Sequence, residues 1–161
     1  MVGRLGSRDN RIMSDTAFFV TKSYRDLPAA HRQPMHGGHC RWLHGHNWRF
    51  DITFGCVVLD QNGFVIDVGE LDEVEEFLID YFDHTLLLNE DDPRLKEFHQ
   101  LQKLDLFQVR TLPNCGMEGL ARFVFSKVYE LLLGGKNTER GVRVVEVTCW
   151  EDSKNRATYR P

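Results

Sequence analysis

The chain has 161 residues, of which 42% are hydrophobic and 27% are charged, so it is long enough for one globular domain with its own core. Its formal net charge of −4 argues against a nucleic-acid partner held by bulk positive charge. The four cysteines are far apart and no apolar leader precedes the first predicted strand, which indicates reduced thiols in a cytoplasmic protein without a membrane segment. We expect residues 1–15 to be a flexible tail and residues 16–161 to form a single domain.

The first part of the chain is predicted to contain two strands separated by a long loop. Residues 17–21 are β-branched and aromatic, which favours a strand. Residues 22–43 hold two prolines and two glycines and are predicted to be a loop. Residues 47–54 alternate between apolar and polar side chains, which is typical of a half-buried strand. The apolar face of that strand comprises Trp48, Phe50, Ile52 and Phe54.

A turn and a helix are predicted next. The Asn-Gly pair at 62–63 readily supplies the positive φ values of a tight hairpin turn. We therefore expect residues 64–68 to pair back antiparallel as a short strand. Residues 69–82 carry apolar side chains at helical spacing and acidic side chains in the first turns, which predicts an amphipathic helix.

The second half adds further helices and strands. Residues 93–101 are predicted to be a short helix, and residues 104–112 to be a strand. Residues 117–133 repeat apolar side chains at helical spacing, which predicts a second amphipathic helix. Residues 141–150 are rich in valine and favour a long strand, and residues 157–160 a last extended piece. This order predicts an α+β sandwich, with two helices covering one face of an antiparallel sheet.

Two histidines at the start of the 47–54 strand indicate a metal site. His44 and His46 are two residues apart on extended backbone, so their side chains point to the same side and both can hold one ion. Imidazole suits zinc, and a catalytic zinc keeps three protein ligands and an open position. We take His31 as the third ligand, while His36 and His39 compete for that role.

Cys40 lies four residues before His44 and has two interpretations. It is either a fourth ligand of a closed structural site or a reactive thiol beside an open zinc. The adjacent pair of Asp83 and His84 favours the second interpretation, because a carboxylate raises the basicity of an imidazole and makes a proton relay. The alternative for this pair is a simple helix cap.

Two carboxylates are candidates for substrate binding. Glu151 follows the valine-rich strand, and a carboxylate at a buried strand end needs a partner. A planar amidine-like group, such as that of a pterin, would pair with it bidentately. Glu118 begins an otherwise apolar helix, where the helix dipole alone would also explain it. An ordinary solvated charge is the alternative for Glu151.

The motifs occur in an order that resembles the 6-pyruvoyl-tetrahydropterin synthase / 6-carboxy-tetrahydropterin synthase family. The resemblance extends over residues 17–160 of the chain. Its motifs are A-A-H at 29–31, C-x3-H-G-H-N at 40–47, G-F-V-I-D at 63–67, D-H at 83–84 and W-E at 150–151 with Tyr159.

The resemblance implies a tunnelling fold, in which a four-stranded antiparallel sheet is backed by two helices. Members form trimers whose sheets close into a β-barrel, and trimers pair into homohexamers with active sites between subunits. By matching residues, His31, His44 and His46 would bind Zn²⁺, and Cys40 would be the catalytic base. Asp83 and His84 would complete its proton relay, and Glu151 and Glu118 would bind the pterin.

The three residues between Cys40 and His44 resemble the carboxy branch of the family, on the route to queuosine and other deazapurines. The implied reaction converts 7,8-dihydroneopterin triphosphate to 6-carboxy-5,6,7,8-tetrahydropterin, acetaldehyde and triphosphate. The alternatives are a 6-pyruvoyl-tetrahydropterin synthase or a related dihydropterin lyase. An alternative of another class is a non-catalytic zinc or pterin-binding protein.

The chain departs from the family pattern at four places. Gly116 and Gly119 stand where the family has threonine and asparagine in a P-T-x-E-N-type helix start. Phe64 and Val68 replace residues of a more usual G-M-V-I-D-F segment. The loop at 32–39 is rich in histidine, and the segment at 93–112 is longer than the common pattern.

Overall fold

The computed structural model describes residues 16–133 and 135–161, so the tail predicted for residues 1–15 lies outside the described residues. The described residues form six strands and four α-helices. The strands are β1 (Phe18–His31), β2 (His44–Cys56), β3 (Thr85–Asn89), β4 (Gln108–Leu112), β5 (Arg143–Trp150) and β6 (Arg156–Tyr159). The helices are α1 (Asp72–Phe82), α2 (Leu95–Gln102), α3 (Met117–Leu132) and α4 (Lys136–Glu139). None of the described helices has the length and apolar character needed to cross a membrane.

The six strands form one mixed sheet in the order β4-β3-β1-β2-β5-β6. The pairs β1–β2, β2–β5 and β5–β6 are antiparallel, whereas β1–β3 and β3–β4 are parallel. The α+β class is therefore confirmed, but the expected four-stranded, purely antiparallel sheet is wrong. The reason is that the chain passes through α1 to place β3 beside β1 and parallel to it, and α2 is then a crossover connection that adds β4 parallel to β3. Four consecutive residues of β3, residues 85–88, are buried, as is usual for a strand covered on both faces.

Strand β1 is much longer than predicted. It includes residues 22–31, so the prediction of a loop for the first half of the segment 22–43 is wrong. Pro28 interrupts the sequence pattern but does not break the strand. Its carbonyl oxygen accepts a hydrogen bond from the His84 backbone N–H on the side of β3. Because the N–H and C=O of an extended residue point to the same side, the donor that proline lacks is not needed for pairing with β2. A bulge between Tyr24 and Leu27, with Asp26 at φ 60°, lets the strand continue.

The short strand predicted for residues 64–68 is also wrong. The Asp60 carboxylate accepts hydrogen bonds from the backbone N–H groups of Asn62 and Phe64, which closes a tight turn. After the turn, the Val65 carbonyl oxygen accepts a hydrogen bond from the Arg140 guanidinium and not from a neighbouring strand. The segment therefore packs as an irregular loop.

The core lies between the sheet and the helices. The predicted apolar face of β2 is confirmed, since Trp48, Phe50, Ile52 and Phe54 are fully buried. Helix α1 packs on β1 and β3, and α3 packs on β5 and β6. The other face of β2 carries partly exposed polar side chains, including Arg49 and Asp51. The buried face of β1 and β2 continues to the end of the sheet where His31 lies. Side chains on that face therefore point toward the layer that the helices cover.

Candidate metal centre

The three histidines His31, His44 and His46 lie together at one end of the central strand pair. His31 ends β1 and pairs in register with His44, and Ala29 pairs with His46. Their side chains continue the buried face that Trp48 begins on β2. Among the described residues, one ligand atom from each histidine lies within 4.8 Å of the others. The spacing of the strands therefore gathers three imidazoles at a single point, where they could hold a metal ion.

Backbone carbonyl groups fix the tautomers of two of these imidazoles. His31 Nδ1 donates to the carbonyl oxygen of Cys115 at 2.8 Å, and His44 Nδ1 donates to that of Trp42 at 2.8 Å. A carbonyl oxygen can only accept, so both Nδ1 atoms carry a proton, and in the neutral imidazoles both Nε2 atoms carry a lone pair. These Nε2 atoms lie 3.1 Å apart. Two lone pairs at that distance repel each other unless a cation lies between them, so the donor set fits a metal ion.

The local environment favours the neutral form of two of the imidazoles, those of His31 and His46. Burial, as the largest cause, and the neighbouring His44 and His46 together lower the pKa of His31 to about 4, against the opposing effect of the Cys115 carbonyl. Burial and His44 also lower the pKa of His46, although Glu151 opposes them. The neutral imidazole is the form that binds metals, so these two side chains need not lose a proton at pH 7 before they ligate.

The remaining candidate ligands lie outside this cluster. His36 and His39 are exposed, and His36 Nδ1 accepts a hydrogen bond from the Gly38 backbone N–H at 2.9 Å. Cys40 lies in the short 3₁₀ turn His39–Arg41 and is partly exposed. In the part of the chain that the structure describes, the metal-binding group consists of the three histidines without this thiol. The geometry therefore favours an open site over a closed site that includes the cysteine.

One carboxylate lies against the cluster directly after β5, and a second lies at the start of α3. Glu151 Oε1 lies 3.3 Å from His46 Nε2, and the Glu151 side chain is 25% exposed. Glu118 is in the first turn of α3. Burial raises the pKa of the Cys149 thiol well above its usual range, and the charges of Glu151 and then Glu118 raise it further. Both carboxylates therefore lie near the buried Cys149.

The pair of Asp83 and His84 is formed but lies apart from the three histidines. His84 Nδ1 donates to Asp83 Oδ1 at 2.6 Å, and the His84 side chain is 82% exposed. Ala29 of β1 pairs with Thr85 of β3, and the two strands are parallel, so His84 lies beside Pro28. Pro28 is three residues before His31 in β1. At about 3.3 Å per residue, the pair lies roughly 10 Å along the strand from the cluster. Within one chain, the Asp83–His84 pair is therefore too far from the three imidazoles for direct contact.

Sequence reasoning missed one residue of the site. Cys115 supplies the carbonyl group that orients His31, yet the two residues are 84 positions apart. The sequence predicted Cys115 only as a reduced thiol at the start of α3. No local signal points to the contact, because it depends on how the loop before α3 packs against the end of β1.

Sequence comparisons place the chain among proteins of pterin metabolism. A sequence model of the family described as 6-pyruvoyl tetrahydropterin synthase matches residues 20–161. A 6-carboxy-5,6,7,8-tetrahydropterin synthase from Rickettsia typhi is 30% identical over 114 residues, which are 70% of this chain and 81% of that protein. A protein of the same name from Aquifex aeolicus is 27% identical over 129 residues, which are 75% of each chain.

Solved structures share the fold. An uncharacterized protein from Wolinella succinogenes superposes with a TM-score of 0.75 at 19% identity, covering 89% of this chain and 97% of its own. The 6-pyruvoyl tetrahydropterin synthase from Plasmodium vivax superposes with a TM-score of 0.64 at 18% identity, covering 90% and 99%. The tunnelling fold is therefore confirmed for the single chain, with a six-stranded mixed sheet in place of the expected four-stranded one.

Proposed function

Because the chain belongs to the 6-pyruvoyl tetrahydropterin synthase family, we propose that it is a zinc-dependent 6-carboxy-5,6,7,8-tetrahydropterin synthase. The substrate is 7,8-dihydroneopterin triphosphate, and the products are 6-carboxytetrahydropterin, acetaldehyde and triphosphate, with uptake of one water. Two observations favour the carboxy branch. Curated relatives carry that name, and three residues separate Cys40 from His44.

The cluster of three imidazoles carries this proposal. His31, His44 and His46 offer three nitrogen ligands within 4.8 Å of one another, which is the ligand number of a catalytic zinc with an open position. Zinc bound there would polarise the hydroxyl groups of the pterin side chain and acidify the neighbouring carbon-bound protons. The closed alternative of a non-catalytic zinc protein needs a fourth ligand in the group. Among the described residues, Cys40 does not supply it.

The chain's own acid–base groups then move the protons. Cys40, as a thiolate, removes one carbon-bound proton of the substrate side chain. The Asp83 carboxylate accepts from His84 Nδ1, which holds a proton on Nδ1 and leaves Nε2 of the same imidazole to accept the second proton. The pair lies roughly 10 Å along the strand from the cluster. We therefore infer that it serves the site of a neighbouring subunit in a homo-oligomer, a trimer or hexamer whose sheets close into a barrel.

The carboxylates near the cluster would hold the pterin ring. Glu151 offers two oxygens to the planar amidine portion of the ring, an arrangement that gives short, charge-assisted hydrogen bonds. Glu118, whose charge also acts on the buried Cys149, would bind the ring from the start of α3. All four cysteines are free thiols, which agrees with the reducing cytoplasm as the setting of the enzyme.

A product assay tests the proposal. The purified protein is incubated with zinc and 7,8-dihydroneopterin triphosphate, and acetaldehyde and 6-carboxytetrahydropterin are quantified by mass spectrometry. Both products in equal amounts would support the carboxy activity. A pyruvoyl product without an aldehyde would move the chain to the 6-pyruvoyl branch, and glycolaldehyde would indicate an aldolase-like cleavage. No turnover of any dihydropterin would overturn the synthase assignment.

A further inference from the structure

The residue that orients His31 is itself held by a side chain from another strand. Asn89 ends β3, and its Oδ1 atom accepts a hydrogen bond from the Cys115 backbone N–H at 2.8 Å. The carbonyl oxygen of Cys115 in turn accepts from His31 Nδ1. We propose that Asn89 is a positioning residue of the metal centre, which sets the orientation of His31 through the backbone of Cys115. This inference rests on the proposed metal site.

Cys115 is fixed from three directions. Its N–H donates to Asn89, its thiol donates to the Arg32 carbonyl oxygen at 3.3 Å, and its carbonyl oxygen accepts from His31. The residue is fully buried. Its carbonyl group cannot turn without breaking at least one of these bonds. The Asn89 contact is the one that ties this loop to β3, whereas the other two tie it to the end of β1.

The consequence of losing the Asn89 oxygen follows from these bonds. A buried Cys115 N–H without a partner is costly, so the loop before α3 would shift to find another acceptor. The Cys115 carbonyl would move with it, and His31 would lose the bond that keeps the proton on Nδ1 and the lone pair on Nε2. Partners of this kind around metal-binding histidines typically contribute about 10- to 100-fold in metal affinity.

A merely structural role for Asn89 predicts a different result. In that case Asn89→Ala would lower the thermal stability but leave the metal affinity of the folded protein unchanged. Thr85→Ala is a matched control, because Thr85 is a buried residue of the same strand whose hydroxyl donates to the Tyr81 and Phe82 carbonyl groups. That variant removes a polar link of β3 without touching the Cys115 loop.

The test measures Zn²⁺ affinity by competition with a chromophoric chelator, and Co²⁺ binding by its visible absorption, well below the unfolding temperature. We expect Asn89→Ala to bind Zn²⁺ about 10- to 100-fold more weakly than wild type and to change the Co²⁺ spectrum. Asn89→Asp, which keeps the accepting oxygen, should restore affinity close to wild type. Thr85→Ala should bind as wild type even if it melts at a lower temperature.

Three outcomes would overturn the inference. They are wild-type affinity in Asn89→Ala, an equal loss in Thr85→Ala, or no rescue by Asn89→Asp. These outcomes are distinguishable from failure of the proposed function itself. If wild-type protein bound neither Zn²⁺ nor Co²⁺, the metal centre itself would be refuted, whereas tight wild-type binding with an unaffected Asn89→Ala would refute the positioning role alone.

Discussion

Gly119, in the first turn of α3, lies directly against the backbone of Asn114. A Cβ atom at position 119 would lie 2.6 Å from the Asn114 Cβ atom and 2.8 Å from its carbonyl carbon. Real side chains do not approach so closely, so only glycine fits while the loop before α3 keeps its path. The asparagine that the family pattern has at this position is therefore excluded here by backbone contact, and Gly119 is a structural departure.

The first prediction concerns this contact. Replacing glycine by alanine inside a helix ordinarily stabilises a protein by about 0.5–1 kcal/mol. We expect Gly119→Ala to lower the free energy of unfolding instead, by about 1–3 kcal/mol, because the loop must move. Urea denaturation measures the difference. Ser126→Ala, at an exposed position of the same helix, should change stability little, and a stabilised Gly119→Ala would contradict the close contact.

The metal ligands provide the second prediction. His44→Ala removes one of three imidazole ligands and should abolish stoichiometric zinc binding, as measured by metal analysis after dialysis. His39→Ala is the matched control, since His39 lies five residues earlier and its side chain is exposed. It should keep one zinc per chain. Equal loss of metal in both variants would argue that the histidine-rich turn, and not the strand pair, holds the ion.

Cys40 distinguishes the catalytic site from a closed structural site. We expect Cys40→Ala to keep zinc and its melting temperature but to lose turnover by about 10²- to 10⁴-fold, which is the usual contribution of one acid–base group. Metal content, thermal melting and acetaldehyde release are measured on the same preparation. Loss of zinc together with unfolding would instead indicate a structural zinc site in which the thiolate is a ligand.

Glu151 is expected to act on substrate binding. Glu151→Gln keeps the shape of the side chain but removes the charge that strengthens hydrogen bonds to the pterin amidine. A charged hydrogen bond is worth about 1.5–3 kcal/mol, so KM should rise by roughly 10- to 100-fold with metal retained. Glu146→Gln, in the strand that Glu151 follows and paired with Arg160, is the control. An unchanged KM in Glu151→Gln would remove this carboxylate from the substrate site.

The pH dependence of stability is predicted from Asp51. Burial alone would raise the pKa of this carboxyl group, but hydrogen bonds from Arg49, Ser23 and Trp150 hold it below its ordinary value of 3.8. A lowered pKa in the folded state means that the carboxylate stabilises the fold above pH 3.8 and loses this effect as the pH falls through the lowered value. Asp51→Asn should therefore be less stable than wild type near neutral pH.

The difference between Asp51→Asn and wild type should shrink as the pH falls below 3.8. This difference in stability is measured from the midpoints of urea denaturation at several pH values. Asp91→Asn, at an exposed position, serves as the control and should track wild type throughout. A constant difference at all pH values would show that Asp51 acts through packing and not through its charge.

Local patterns predicted the elements whose burial repeats at a fixed spacing. The alternation at 47–54 identified the buried face of β2, and helical spacing identified α1 and α3 within a few residues of their ends. The same alternation placed His44 and His46 on one side, because side chains two apart on a strand share a face. These features need no information from distant parts of the chain.

Elements that depend on a partner strand were predicted poorly. Residues 22–31 hold a proline and polar side chains, and they form a strand only because β2 pairs with them along their length. The hairpin signal at 62–63 was overridden by the Asp60 turn and by Arg140, which binds the Val65 carbonyl group. In both places the surrounding structure supplied or removed the hydrogen-bond partners on which a strand depends.

The sequence by itself determined that two histidines share one face of a strand and that a thiol and an Asp-His pair accompany them, since these facts follow from spacing along the backbone. The tertiary structure alone decided that His31 joins them, because the β1–β2 register places it opposite His44. It also decided that the Cys115 carbonyl orients His31 and that the Asp83–His84 pair lies roughly 10 Å along the strand from the cluster. Contacts between residues far apart in the chain depend on how strands pair and loops pack, and no local pattern encodes that geometry.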